Sequence, residues 1–511
     1  ADGAIEGVLD TAAKVPGEKL TDIADYEDRA FMPGREQDCV RPLPESARWS
    51  LGYAQAGIVP DDLTERAYYL GGYLAYPPNR AEGVIDDLRV RTIAIDDGSG
   101  RGTVVFSEID CVGISSRDIA DIRLTLKKFA LEHNVVSINV GAIHCHSGID
   151  TQGLWGDLKT AAMHNTVNIM KKDPDAVVSG RDPIFMQELK GKVVRTVEDA
   201  VTAMTPGRLA YTVADGSAYS HSKRPPYVTD SRMLALKFVP DDGSAPTVAV
   251  EFPSHPVSLG YSNKMLSGDF VYYMCDELEK QGFNGMYFQG AELAVASNRG
   301  DFAPQGSDNM KTIECYGRAI ARHVIDSGFT GELAPRMDAA HARVYMPVGN
   351  KLYVFLRKLG IINNDMLSDG KQFRFPTEIG IVELGEIALL LVPGELAPEL
   401  LMGGALGTDD SYTHTEWKNP PLKDLIPGKQ CFVVGLMNDA IGYIIPDNDY
   451  GSFVAPLHYE ESVSAGRHTA SQIVSAFSRL AADNASRKTG AEKDAAINAL
   501  MQKEAAPQPV G

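Results

Sequence analysis

The chain has 511 residues, 44% of them hydrophobic, with a formal net charge of −19. That length is ample for a large buried core and leaves the domain count open. The acidic balance offers no basic footprint for nucleic acid and disfavours an anionic membrane, and no apolar run approaches the roughly 20 residues that span a bilayer.

Regular structure starts near residue 90, after a polar arm over residues 1–45. Arg91–Asp96 and Thr103–Ile109 read as strands about the turn-rich DDGSGRG. Ile119, Ile122, Leu126 and Phe129 recur at helical spacing, and Val135–Ala142 then reads as a buried strand running into HCHSG. Met233–Val239 and Thr247–Phe252 form a second strand pair, ending in PSHPVSLG. A helix over Gly268–Gln281, closed by Gly282, leads to a strand over Gly285–Gln289 and a long loop over Ala296–Ser307. Met310–Ser327 is a further helix. Ile379–Leu384 and Ile387–Val392 form a hairpin about Gly385–Glu386, which exits into PGEL. Cys431–Leu436 is a short strand before NDAIGY, residues 461–483 a helix, and the tail from 484 helical in propensity before PQPVG. The expected fold is α/β, with mixed β-sheets flanked by helices and a polar site at strand ends. One domain is expected over residues 46–483, with residues 484–511 as a tail. The six cysteines are scattered without a CxxC pair, so neither a disulfide framework nor a thiolate zinc site is expected. The first residue is Ala1, which fits a removed signal peptide or a cloned start.

Several strands end in loops that carry His144 and His146, His255, Glu395 and Tyr443. On a strand, the spacing of His144 and His146 puts both rings on one face, where they share a metal, divide metal and substrate between them, or simply hydrogen-bond at a strand end. His255 sits between prolines that stiffen the backbone and fix its direction. Glu395 suits either metal ligation or a helix cap. No GxSxG, HExxH or P-loop is present.

Six segments in order resemble the neutral/alkaline, non-lysosomal ceramidase family. GAIHCHSG (141–148) looks like the family's GTHTHSGPG, and KRPPYV (223–228), followed by Asp230, like its NRSPxAY. EFPSHPVSLG (251–260) is similar to FATHAVSMG, and VPGEL (392–396) to PGE. GLMNDAIGYIIP (435–446) is similar to NxYxGYVxTP, and HYEESVSAG (458–466) to YEGAST. Position by position, the resemblance implies zinc held by His144, His255, Glu395 and Tyr443. It places a substrate-facing histidine at His146, an arginine at Arg224 and a later tyrosine at Tyr459.

There are departures. In SNRGDFAPQG (297–306), Ala303 takes the place of a family serine and Gln305 that of an asparagine; HSGPG becomes HSGID. The family's C-terminal immunoglobulin-like domain is not expected, since the end of this chain reads as helical. The resemblance implies a zinc-dependent hydrolase that cleaves an amide, ceramide-like or other, by metal-activated water. In that mechanism His146 and Tyr459 stabilise the oxyanion, Arg224 polarises the carbonyl or orients the substrate, and Asp301 either orients a histidine or caps its loop. The alternative, supported by Ala303, is a substrate-binding homologue without catalysis. The partner implied is a small-molecule or lipid amide, and the location implied is secreted or periplasmic.

Overall fold

The computed structural model of the protein describes residues 20–34, 44, 46–171, 173, 179–451 and 459–504, with side chains up to residue 488. Much of the expected arm, His458 and the PQPVG end lie outside these residues.

The first sheet has nine strands. In chain order its main members are β1 (Trp49–Gly57), β2 (Arg89–Asp96), β3 (Thr103–Ile109), β4 (Val135–Ala142), β5 (Thr205–Asp215), β6 (Arg232–Pro240), β7 (Thr247–Phe252) and β8 (Asn284–Gln289). They lie side by side as β8-β7-β6-β5-β1-β2-β3-β4. Only the outer pairs, β3 with β4 and β7 with β8, run parallel. The second sheet has six strands, chiefly β9 (Met337–Pro347), β10 (Phe373–Leu384), β11 (Ile387–Leu391) and β12 (Gln430–Val434). β10 pairs antiparallel with β9 and β11, and β11 runs parallel to β12.

Alternation along the second sheet stacks it on the first. Val382, Leu384, Leu389, Leu391, Phe432 and Val434 meet Ile93, Phe106, Leu236 and Phe288 of the first sheet in one core. The residues between them, including Ile381, Leu390 and Val433, point the other way, onto Ile473, Phe477 and Leu480 of the C-terminal helix. This is the period-2 alternation of a strand buried on both faces. Helices α1 (Ser116–Glu132) and α2 (Pro183–Thr202) cover one half of the first sheet's outer face. Helices α3 (Asp269–Lys280) and α4 (Asn309–Asp326) cover the other half. Helix α5 (Thr469–Glu504) covers the second sheet. The layers therefore run helix, sheet, sheet, helix, the mixed α/β arrangement expected.

Two boundaries differ from expectation. Residues 461–468 precede α5 rather than belonging to it, because a 3-10 turn at Tyr459–Val463 comes first. The helix then runs through residue 484 without a break. The described part of the arm is held by the second sheet: Thr21–Asp22 pairs with Leu367–Ser368, and Gly34 bridges Ala340. Cys111, Cys145, Cys275, Cys315 and Cys431 are free thiols.

Candidate metal centre

The parallel pairs end at a common edge, and the loops leaving them are laced together. Near the end of β4, the Asn438 amide donates to Val140 O over 2.8 Å, and the Val140 amide returns a 3.0 Å bond to the Asn438 side chain. Beyond β7, His255 N donates to Val295 O over 3.2 Å, and His146 N to Pro256 O over 3.1 Å. Beyond β11, Glu395–Leu396 pairs in parallel with Tyr443–Ile444, so Glu395 lies directly beside Tyr443. His144, Ala294, Leu436 and Asn438 all adopt positive φ in these loops. That conformation is uncommon for non-glycine residues and persists only where surrounding contacts enforce it.

His144 itself corrects a local expectation. β4 ends at Ala142, and His144 has φ 65°, so the HxH pair is not on a strand. The sharp turn still brings the two rings together, with His144 Nε2 3.0 Å from His146 Nε2. His144 Nδ1 faces Val112 O at 2.8 Å, which selects the tautomer with Nδ1 protonated and Nε2 bearing a lone pair. Glu395 Oε2 lies 3.3 Å from His144 Nε2 and 3.2 Å from His255 Nε2. It has no hydrogen-bond partner although it is buried. His144, His255, Glu292 and Glu395 bring ligand atoms within 4.8 Å of one another. Such a group can hold a metal ion: two neutral imidazoles and a carboxylate, all buried, converge on a point where Glu395 Oε2 has no hydrogen-bond partner.

Burial controls the charges. It lowers His144 and His255 to about 4 and His146 well below the ordinary imidazole value, so all three are neutral at pH 7. Burial raises Glu395, with the neighbouring His144 and a hydrogen bond from Tyr443 opposing the rise. Burial and Glu395 push Tyr443 well above the ordinary phenol value, and burial raises Tyr459 to about 12.

Two cavities meet here. One, of about 250 Å³, is walled by Leu154, Trp155, Ile362, Phe375 and Val463. The other, of about 370 Å³, is walled by Lys223, Pro225, Val257, Ala294 and Val295. His146, Tyr443, Tyr459, Tyr73 and Gly72 line both. The Tyr459 ring stands 6.2 Å from that of Tyr443 at 90° and is exposed at the mouth.

Other sequence candidates lie differently. Arg224 lines the second cavity, but its buried guanidinium is bound to Asp449 at 3.1 Å, Glu460 at 3.1 Å and Glu461 at 3.0 Å. Its Nε, Nη1 and Nη2 all donate to those carboxylates. Ala303 ends the 3-10 turn Arg299–Phe302 and lines neither cavity. From the same connection, Ala294 and Val295 line the second cavity instead. Asp301 is exposed on that turn. Glu292 was missed by sequence reasoning; its signal is a carboxylate three residues past the end of β8, as His255 is three past β7.

No family profile matches the chain. Over 295 residues it is 26% identical to the neutral ceramidase of Pseudomonas aeruginosa, covering 53% of this chain and 38% of that protein. The match thus spans well under half the length of that relative. The crystal structure of the same enzyme superposes with a TM-score of 0.63 at 17% identity, over 88% of this chain and 75% of that one. A ceramidase structure complexed with C2 gives 0.63 at 17%, over 86% and 76%. These likenesses share the layered fold that carries the histidine–glutamate group. In sequence over about half of its length, and in fold over most of it, the chain is similar to neutral ceramidase.

Proposed function

We propose that the chain is a zinc-dependent amidohydrolase that cleaves an N-acyl amide, with ceramide-like lipid amides as the substrate class. One observation carries the reading: the unpartnered Glu395 Oε2, shared at 3.3 and 3.2 Å by the neutral Nε2 atoms of His144 and His255 at the junction of two cavities. His144, His255, Glu395 and Tyr443 would hold the zinc, which supplies a Lewis acid for an amide carbonyl and acidifies water.

The remaining work falls to the chain's own groups. The apolar walls of the first cavity suit an acyl chain, and the second takes the amine portion. His146 is pinned by the Tyr73 ring, 4.8 Å away, and by Gly72, with its Nε2 beside that of His144 at 3.0 Å. Protonated on Nε2, it donates to the oxygen that gains charge as the carbonyl becomes tetrahedral. Tyr459 offers a second donor from the mouth. Arg224 acts by placement: it binds Glu460 and Glu461, which belong to the same 3-10 turn as Tyr459. No helix among the described residues is long and apolar enough to cross a membrane.

The test is metal analysis of the purified protein with a panel of N-acyl amides, ceramide among them. Stoichiometric zinc and amide cleavage that disappears in His144→Ala are expected. A protein that binds no zinc and turns over no acyl amide would overturn the reading.

A further inference from the structure

His144 and His255 are oriented by unlike acceptors. Nδ1 of His144 faces a backbone carbonyl, Val112 O, at 2.8 Å. Nδ1 of His255 faces a carboxylate, with Glu292 Oε2 3.5 Å away, while its Nε2 faces Glu395 Oε2 at 3.2 Å. The imidazole of His255 therefore stands between two carboxylates. Glu292 is fully buried, and neither of its oxygens has a hydrogen-bond partner. Its backbone is held by the loop, with Val295 N donating to Glu292 O over 2.7 Å, so the side chain is directed rather than adrift. An unpaired carboxylate in such a place is costly unless positive charge accompanies it.

We infer that Glu292 is a positioning residue of the metal centre: it accepts the Nδ1–H of His255 and so presents Nε2 of that ring to the cation. A carboxylate behind a ligating imidazole fixes its tautomer and strengthens it as a donor. This assigns to Glu292 the orienting role that sequence alone offered to Asp301, which is exposed on its turn. The inference rests on the metal-site reading above. It also gives the site an asymmetry, since the Glu292 carboxyl group stands behind His255 in addition to backbone groups of Val295 and Glu292, whereas a backbone carbonyl stands behind His144.

The experiment measures zinc affinity by chelator competition for wild type, Glu292→Ala and Glu292→Gln, with melting of each protein metal-free and zinc-loaded. Glu292→Ala should bind zinc about 10–100-fold more weakly. Glu292→Gln, whose amide oxygen can still accept from Nδ1–H, should fall between Ala and wild type. Metal-free Glu292→Gln should melt at or above metal-free wild type, because an unpaired buried carboxylate is gone; a merely structural role predicts a lower melting point. X-ray absorption on the zinc-loaded proteins should show the same number of nitrogen and oxygen ligands in wild type and Glu292→Gln. Unchanged affinity in both variants would overturn the inference, as would loss of an oxygen ligand in Glu292→Gln, which would make Glu292 a direct ligand. Wild type that binds no zinc would instead sink the metal reading itself.

Discussion

Glu395 Oε2 lies 3.3 Å from His144 Nε2, and the two residues lie on segments that leave different sheets: one follows β11 and the other β4. The candidate site is therefore a seam between the stacked sheets, and its geometry depends on how firmly the loops on either side hold each ring.

Gly72 is one of those holds. A Cβ built there would meet His146 Nδ1 at 2.2 Å, on a backbone with φ 97°. Gly72→Ala should displace the His146 ring while leaving the His144–His255–Glu395 group in place. Zinc content should stay at the wild-type level and kcat/KM should fall by about 100-fold, the usual penalty for roughly 1 Å of misplacement. Metal analysis beside steady-state kinetics checks both halves.

Arg224 bridges the carboxylates of Asp449, Glu460 and Glu461. Arg224→Ala leaves a buried carboxylate cluster without it and should cost about 3–5 kcal/mol in urea unfolding. Arg224→Lys should recover part of the stability but less of the activity, because a point charge cannot reproduce a planar fork on three carboxylates and the Tyr459 turn should shift.

His341, far from the metal centre, isolates one pH effect. Burial lowers it to about 4, and its Nε2 lies 2.8 Å from Ser137 Oγ. Its folded value is below the unfolded value of about 6.5, so the unfolded chain takes up the proton first. The neutral ring's stability is fully present above pH 6.5 and is lost as pH falls toward 4. Relative to His341→Gln, wild type should lose about 1.4 kcal/mol per pH unit across that window. Chemical denaturation of both proteins at several pH values checks it, and parallel curves would show that the ring does not titrate as stated.

Ala303→Ser tests whether the family's serine position sets substrate choice here. Because Ala303 lines neither cavity, kcat/KM on ceramide should change by no more than about twofold, the ordinary range of substitutions away from a site. A gain of orders of magnitude would mean that the turn reaches the substrate in the working enzyme.

Much of the scaffold was legible in the chain itself. β3, β4, β7 and α3 lie where apolar runs and helical spacing put them, within a residue or two. Ordered motifs picked out His144, His255, Glu395 and Tyr443, which the structure brings to one edge. β1, β5 and β9 were not read, because their mixed burial blurs the alternation. Helix α2 was missed although Asp182 caps it and Pro183 starts it, a local signal that was there to be used.

Periodicity along the chain was enough to determine the types of the elements that were read, since it is a local property of the backbone, and the four donors proposed for a metal followed from the ordered resemblance of short motifs to a family. What surrounds those donors was decided only by folding. The left-handed turn at His144, the carboxylates that claim Arg224, the retreat of Ala303 and Asp301 to an outer turn, and the approach of Glu292 behind His255 all depend on contacts between distant segments. The strength of a charge or hydrogen bond is set by its partners and by how much water is excluded, and neither is written at the position itself.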